Sequence, residues 1–482
     1  RLGERALHRR SAELARPEDH DEVGETASEE RRQQLREIRP AVGELVNWRV
    51  NRQFANWSFV ERFQLATRQP SNSPPFCFRV SRPPAHRASR HPRDAHTADR
   101  AESGGPVGFP RGPSGALPGG FGALLSADAI DELVSQRGLR TPFLRVAKDG
   151  ATLPGKTFTT QGGVGAGIAD QVSDDRLVRL FADGSTLVLQ ALHRVWPPIL
   201  EFCQRLAAEL GHPVQANAYV TPPQNQGFSA HYDVHDVFVL QIEGEKQWRI
   251  HPPVLESPLR DQPWNDRKSS VQRQAEESPM LEAILRPGDC LYLPRGYLHA
   301  ATALGGVSTH LTLGVHVWTR FALAERVMSQ VMRNLAGNPA VRASLPLGVD
   351  VADATAMRPD IELITAALLH AVEHPDLDQL SESMLQDARR HQRAAPVGPL
   401  RQLRDAEAIT DDSVIALRRH VVASIDHTRS GLVLRSRAGD LTVTEADVAP
   451  LKALLKTGTA NAGDLGLELT RHLLLAGLVT VE

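Results

Sequence analysis

From Val214 to Val317 the chain is a series of short apolar runs, Val214–Val220, Val237–Ile242, Lys246–Ile250, Leu291–Leu293 and Ser308–Val317, divided by turns rich in Pro and Gly. Runs of this length read as strands. Closely spaced strands bounded by such turns close their edges as a jelly roll, the double-stranded β-helix of cupin-like barrels. The expected fold is therefore mainly β at its centre.

The flanks read differently. Ahead of the barrel, Ser126 can cap a helix running to about Gln136, Thr141–Val146 reads as a strand before the Asp149-Gly150 turn, and Thr186–Ala191 as another after Asp183-Gly184. Pro197 and Pro198 open an amphipathic helix that Gly211 closes. Beyond Arg320 the pattern is helical, through Phe321–Leu335 and Ile361–Val372. After a linker at Ala394–Gly398 a last module begins, with a turn between Leu432–Leu434 and Arg437–Val443, a Thr444-x-x-Asp447 helix cap, and a helix ended by Gly477 before Leu478–Val481. Helices joined to a strand hairpin are winged-helix-like. The domains expected are a barrel over 119–320, a helical region over 321–390 and an α+β module over 391–482, in line with about three domains at roughly 150 residues each.

Residues 1–118 hold 20 Arg, no Lys, and ten prolines from Pro70 to Pro118. Such a composition buries too little apolar surface to offset chain entropy, and disorder is expected apart from a short helix within 28–65, where Leu35, Ile38, Val42, Leu45 and Val46 recur at helical spacing. The chain starts without Met and its first is Met280, which fits a fragment or an over-extended reading frame.

Charge excludes several partners. With 55 basic against 57 acidic side chains there is no field for nucleic acid or an anionic membrane. The module over 391–482 holds 11 basic and 11 acidic residues, which argues against DNA binding. No apolar run approaches a membrane span, and Arg1 to Arg16 lacks the apolar stretch of a signal peptide. Cys77, Cys203 and Cys290 are too few and too scattered for a disulfide framework, and a cytoplasmic protein is expected.

The chemistry begins at His231-Tyr232-Asp233. Two residues apart on a strand, a His and a carboxylate share a face and can share a metal. Alone the motif is weak, since with 19 His in the chain roughly one His-x-Asp arises by chance. A second copy stands at His374-Pro375-Asp376, in a helical region where no metal role is expected. The first copy gains weight from the run Gly288-Asp289-x-Leu-Tyr-x-Pro-x-Gly-x-x-His299, whose turns deliver a distal histidine. Two histidines and one carboxylate with open positions are the facial triad of non-haem Fe(II) oxygenases.

One lysine adds to this. Only six of the 55 basic residues are Lys, and Lys246 follows the Glu243-Gly244-Glu245 turn on a strand antiparallel to the one continuing from the His/Asp pair. An ammonium inside a barrel needs an anion, which a dicarboxylate cosubstrate supplies; a lysine pointing to solvent is the alternative.

Asn217-x-Tyr219, His231-x-Asp233, Lys246 with Trp248, and the run from Gly288 to His299 together resemble the JmjC-type, cupin-4 ribosomal oxygenases. The resemblance spans about 120–482, including Ser344-Leu345-Pro346 in the helical region, and leaves the first 118 residues without a counterpart. It implies that His231, Asp233 and His299 hold Fe(II), that Lys246 binds the distal carboxylate of 2-oxoglutarate, and that Asn217, Tyr219 and Thr312 contact cosubstrate or substrate. It further implies O2 as cosubstrate, dimerisation through 321–390, a packing role for the last module, and hydroxylation of a protein side chain, a ribosomal protein's among them. Two rival readings are a metal-binding cupin with isomerase or lyase chemistry, and a non-catalytic regulator acting through the winged-helix-like module. A small molecule or short peptide is the alternative substrate.

Overall fold

The computed structural model describes residues 76–79, 120–391, 393–428 and 431–482. The helix expected within 28–65 and most of the disorder expected over 1–118 lie outside these residues. The apolar runs do form strands: β1 (Phe76–Arg79), β2 (Leu144–Lys148), β3 (Thr186–Leu189), β4 (Val214–Thr221), β5 (Asp236–His251), β6 (Leu281–Leu285), β7 (Asp289–Leu293) and β8 (Leu298–Val315). With the short strand Ala151–Thr152 they make one nine-stranded sheet in the order β1–β7–β5–β8–β4–β3–β2, with β6 paired to β5. All these pairings are antiparallel.

Two strands are much longer than the sequence suggested. Val237–Ile242 and Lys246–Ile250 are halves of one strand, β5, and its partner β8 extends from Leu298 through the register shift between Leu304 and Thr309. Lys246 therefore lies on the continuation of the strand after the His/Asp pair, and not on an antiparallel neighbour. The reason is Gly244, at φ +64, where an added Cβ would stand 2.1 Å from Val307 O. A residue without Cβ lets the chain bend there without leaving the ladder. Both halves then face one cavity, Val237 and Val239 from the first and Lys246 and Trp248 from the second.

Alternation divides the rest of the sheet. Leu144, Leu189, Ala216, Ala218, Phe238, Leu240, Leu311 and Leu313 share one face by register, in the main core with Leu133 and with Ile199 and Leu206. Those last residues come from helices α1 (Ala127–Gln136) and α2 (Pro197–Leu210), which cover that face. Ser126 Oγ accepts from Ala129 N at 3.1 Å, and Pro197 and left-handed Gly211 bracket α2, as the sequence predicts. Each such fully buried side chain contributes about 1.5–3 kcal/mol. The opposite face runs in register through Arg145, Val188, Tyr219, His310 and Gln241. It looks into the barrel.

Phe76–Arg79, set outside the fold by its surroundings, pairs with β7, Phe76 opposite Tyr292 and Phe78 opposite Cys290. Four residues carry no periodic signal, and the strand takes its register from the edge it joins. Cys203 and Cys290 are buried.

After the barrel come helices α3 (Arg320–Gly337), α4 (Ala354–Glu373) and α5 (Leu377–His391). The last module has its own core around Ile415, Leu434, Leu451, Leu454 and Leu474. Its strands form one three-stranded sheet of Thr459–Asn461, Val414–Leu417 and Val479–Val481, and a second of Ala423–Thr428, Gly431–Ser436 and Gly439–Val443. Thr444 N donates to Asp447 Oδ2 at 2.7 Å, closing the predicted cap of helix Glu445–Thr457. No described helix is long and apolar enough to cross a membrane.

Candidate active site

His231 and His299 are joined by a two-bond antiparallel bridge, His231 N to His299 O at 3.2 Å and His299 N to His231 O at 2.8 Å. Their rings stand 4.4 Å apart. Each Nδ1 lies beside a carbonyl, His231 with Ser229 O at 2.8 Å and His299 with Tyr297 O at 3.1 Å. A carbonyl only accepts, so each Nδ1 carries a proton, and in the neutral imidazole the lone pair is then on Nε2. Asp233 completes the set, its Oδ2 3.7 Å from His299 Nε2, and one donor atom from each of the three lies within 4.8 Å of the others.

Between them, Tyr232 turns the other way, as alternation requires. It is buried and donates its hydroxyl to Gln262 O at 2.9 Å, anchoring the segment that presents both ligands; the strand expected there is not formed, since His231 makes only an isolated bridge and the strand begins at Asp236.

The long motif before His299 explains itself in contacts. Asp289 Oδ2 accepts from Arg286 N at 2.8 Å, shaping the first turn. Asp236 holds the second, accepting Tyr292 Oη–H at 3.0 Å and Arg295 N–H at 3.0 Å. Gly296, at φ +93, has no room for a Cβ, which would meet Leu255 O at 2.7 Å. Its own N–H donates to Asp233 O at 3.0 Å, so the turn that delivers the distal histidine also fixes the carboxylate residue.

Electrostatics match the donor set. Burial would raise the Asp233 carboxyl, but the imidazoles of His235, His299 and His231 outweigh it and hold the group below its ordinary value. Burial, with His231 nearby, pushes His299 down to about 4. A carboxylate and two imidazoles whose donor atoms converge fit a divalent cation, and no other group of three or more such residues converges among the described residues.

Lys246 lies in the same cavity at 3% exposure. Its Nζ donates to Thr221 Oγ1 at 2.9 Å, and Thr186 Oγ1 donates to the same oxygen at 3.2 Å. Burial pushes the ammonium down to about 7. The solvent-facing alternative for this lysine is thus excluded. Tyr219 and Thr312 also line the cavity, whereas Asn217 does not; its Oδ1 accepts from Ala191 N at 3.0 Å and holds that residue at φ 54.

Thr186, Thr221, Phe228 and His310 went unnoticed in the sequence. Thr221 follows Tyr219 by two and His310 precedes Thr312 by two, so alternation was the signal that could have found them. His310 is stacked on Tyr219 at 4.8 Å, and burial, with Lys246 nearby, keeps its imidazole neutral. The second His-x-Asp is structural: Asp376 Oδ1 accepts from Gln379 N at 3.0 Å at the start of α5.

An antiparallel sheet with two histidines and an aspartate converging in one cavity carries the donor set of a metal site in a JmjC/cupin-type fold. Residues 194–323 match the JmjC domain family, and the chain carries a JmjC domain there. It is 38% identical over 154 residues to the bifunctional lysine-specific demethylase and histidyl-hydroxylase NO66 of Drosophila persimilis, covering 31% of this chain and 21% of that protein. It is 38% identical over 138 residues to ribosomal oxygenase 1 of Rattus norvegicus, covering 28% of this chain and 23% of that protein. The chain thus spans about a fifth of the length of these curated relatives. Among solved structures it is similar to the Escherichia coli ribosomal oxygenase YcfD, with 18% identity, a TM-score of 0.43, and coverage of 74% of this chain and 91% of that one.

Proposed function

We propose that the chain is an Fe(II)- and 2-oxoglutarate-dependent dioxygenase that hydroxylates a side chain of a ribosomal protein. The observation that carries this reading is the presence, in one cavity, of the His231, Asp233 and His299 donors together with the buried cation of Lys246. The likeness of the JmjC domain to proteins named ribosomal oxygenase and histidyl-hydroxylase supports it.

When bound, Fe(II) supplies, with O2, the oxidative decarboxylation of 2-oxoglutarate to succinate and CO2 that places a hydroxyl on a C–H bond of the substrate. The protein's own residues hold, orient and exclude. His231 and His299 keep their protons on Nδ1, so Nε2 remains available, and Asp233 contributes the anionic donor. Lys246, held by Thr221, receives the distal carboxylate. Trp248, Val237, Val239 and Leu293 line the cavity with apolar surface that keeps water from it. Tyr219 and Thr312 contact cosubstrate or substrate, and Asn217 acts by supporting the Ala191 turn.

The barrel over 119–320 is the catalytic unit in this reading, and 391–482 a winged-helix-like packing module that does not bind DNA. The helical segment 321–390 joins two copies, which the exposed Phe321, Met328, Met332, Ile361 and Leu369 support. The same reading places the protein in the cytoplasm.

Iron-dependent succinate formation, compared between the wild-type chain and His231→Ala, tests the reading. Turnover lost in the variant is expected; equal turnover sinks the metal assignment. A +16 shift on a ribosomal protein, absent from a deletion strain, would identify the substrate.

A further inference from the structure

The second His-x-Asp motif leaves a histidine unaccounted for. Asp376 serves the start of α5, but His374 closes α4, and one turn back from it stands His370. Residues four apart on a helix share a face. The two imidazoles are stacked, their ring centres 4.7 Å apart and their planes 28° from parallel, and both are exposed. With Glu373 they spell His-x-x-Glu-His, a helical spacing by which two imidazoles meet one zinc ion.

The pair is held ready. His374 Nδ1 lies 2.9 Å from His370 O, and since a carbonyl only accepts, Nδ1 donates; in the neutral ring the lone pair is then on Nε2. Metal-bound histidines almost always donate their second ring N–H in this way. Beyond His374 the chain is clamped to α3 by buried Gln330, whose Nε2 donates to Asp376 O at 2.9 Å and whose Oε1 accepts from Asp376 N at 3.1 Å. The end of α4 is thus fixed two residues from the imidazole. Charge also favours a cation there, because the last carbonyls of a helix form its negative end and Glu373 adds a carboxylate beside them.

We propose that His370 and His374 form a second metal site, outside the barrel, that takes Zn(II) through a two-point chelate at the end of α4. Imidazole donors suit zinc and leave Mg(II) to oxygen ligands. No third protein donor converges here among the described residues, so water fills the remaining positions, unlike catalytic zinc centres with three protein ligands. The chelate needs the helix, and an ion bound only by the folded chain stabilises the helical region.

The test uses the full chain carrying His231→Ala, which removes a donor of the barrel site from every arm. Zn(II) binding is measured by equilibrium dialysis, at equal free Zn(II), for that chain and for the same chain with His370→Gln, His374→Gln or both. Comparing chains that differ only here cancels whatever the other histidines bind, and substitution at two exposed positions leaves the packed contacts in place. The chain with both imidazoles is expected to hold one more Zn(II) than any other arm. Since the chelate acts as a unit, each single substitution should remove that ion as completely as the double one does. Equal Zn(II) binding in all four chains, or a single substitution that removes only part of what the double one removes, overturns the proposal. No cosubstrate takes part, so succinate formation by the wild-type chain reports separately on the hydroxylase reading.

Discussion

Lys246 donates its ammonium to Thr221 Oγ1 at 2.9 Å inside a cavity where it is otherwise shielded from water. One neutral hydroxyl does not offset the desolvation of a charge, and the protein holds this lysine at a cost to its own stability.

Lys246→Met should therefore weaken 2-oxoglutarate binding by about 100-fold or more and yet raise the unfolding free energy of the ligand-free chain, by on the order of a few kcal/mol at pH below about 7. The sign follows from proton uptake. The folded chain holds this group at about 7 against an ordinary 10.5, so the unfolded chain binds the extra proton between those values. Stability contributed here rises with pH across that window and the full penalty is present below it. Thermal melts of both proteins from pH 6 to 10 should show the advantage of the variant shrinking as pH rises; a constant gap would mean that Lys246 does not titrate there.

Removing a donor should remove the metal. Asp233→Ala and His299→Ala are each expected to lower Mn(II) affinity by about 100-fold or more, since three protein donors are the whole of the convergent set. Equilibrium dialysis checks this, and the wild-type chain alone should gain thermal stability from Mn(II).

A substitution that touches no donor should act on the same site. Asp236→Asn leaves the three ligands in place but weakens the carboxylate contacts with Arg295 N and Tyr292 Oη that hold the turn ahead of His299. A loss of about 10–100-fold in metal affinity is expected. Unchanged affinity would show that the turn holds His299 without Asp236.

Gly244→Ala tests the bend of the long strands. A Cβ there meets Val307 O at 2.1 Å and the backbone is left-handed, so a loss of about 2–4 kcal/mol is expected. Chemical denaturation reads it directly.

These residues also show what the sequence discloses. His231 and Asp233 were legible as a pair two residues apart, although the strand expected to carry them begins only at Asp236, and the Gly288–His299 run because turns demand particular residues. The partners of that run were hidden: Asp236 meets Tyr292 across strands, and no spacing encodes such a contact. Phe76–Arg79 was hidden because its register comes from β7. The expectation of two strands around Gly244 took a glycine for a break, where the structure uses it for a bend.

The central claim is that metal and lysine serve one ligand. Calorimetric titration of 2-oxoglutarate into the anaerobic, Fe(II)-loaded chain measures this most directly. One equivalent should bind, with affinity lost when iron is withheld and lost again in Lys246→Met. Binding of equal strength without iron, or undiminished in Lys246→Met, would contradict the account.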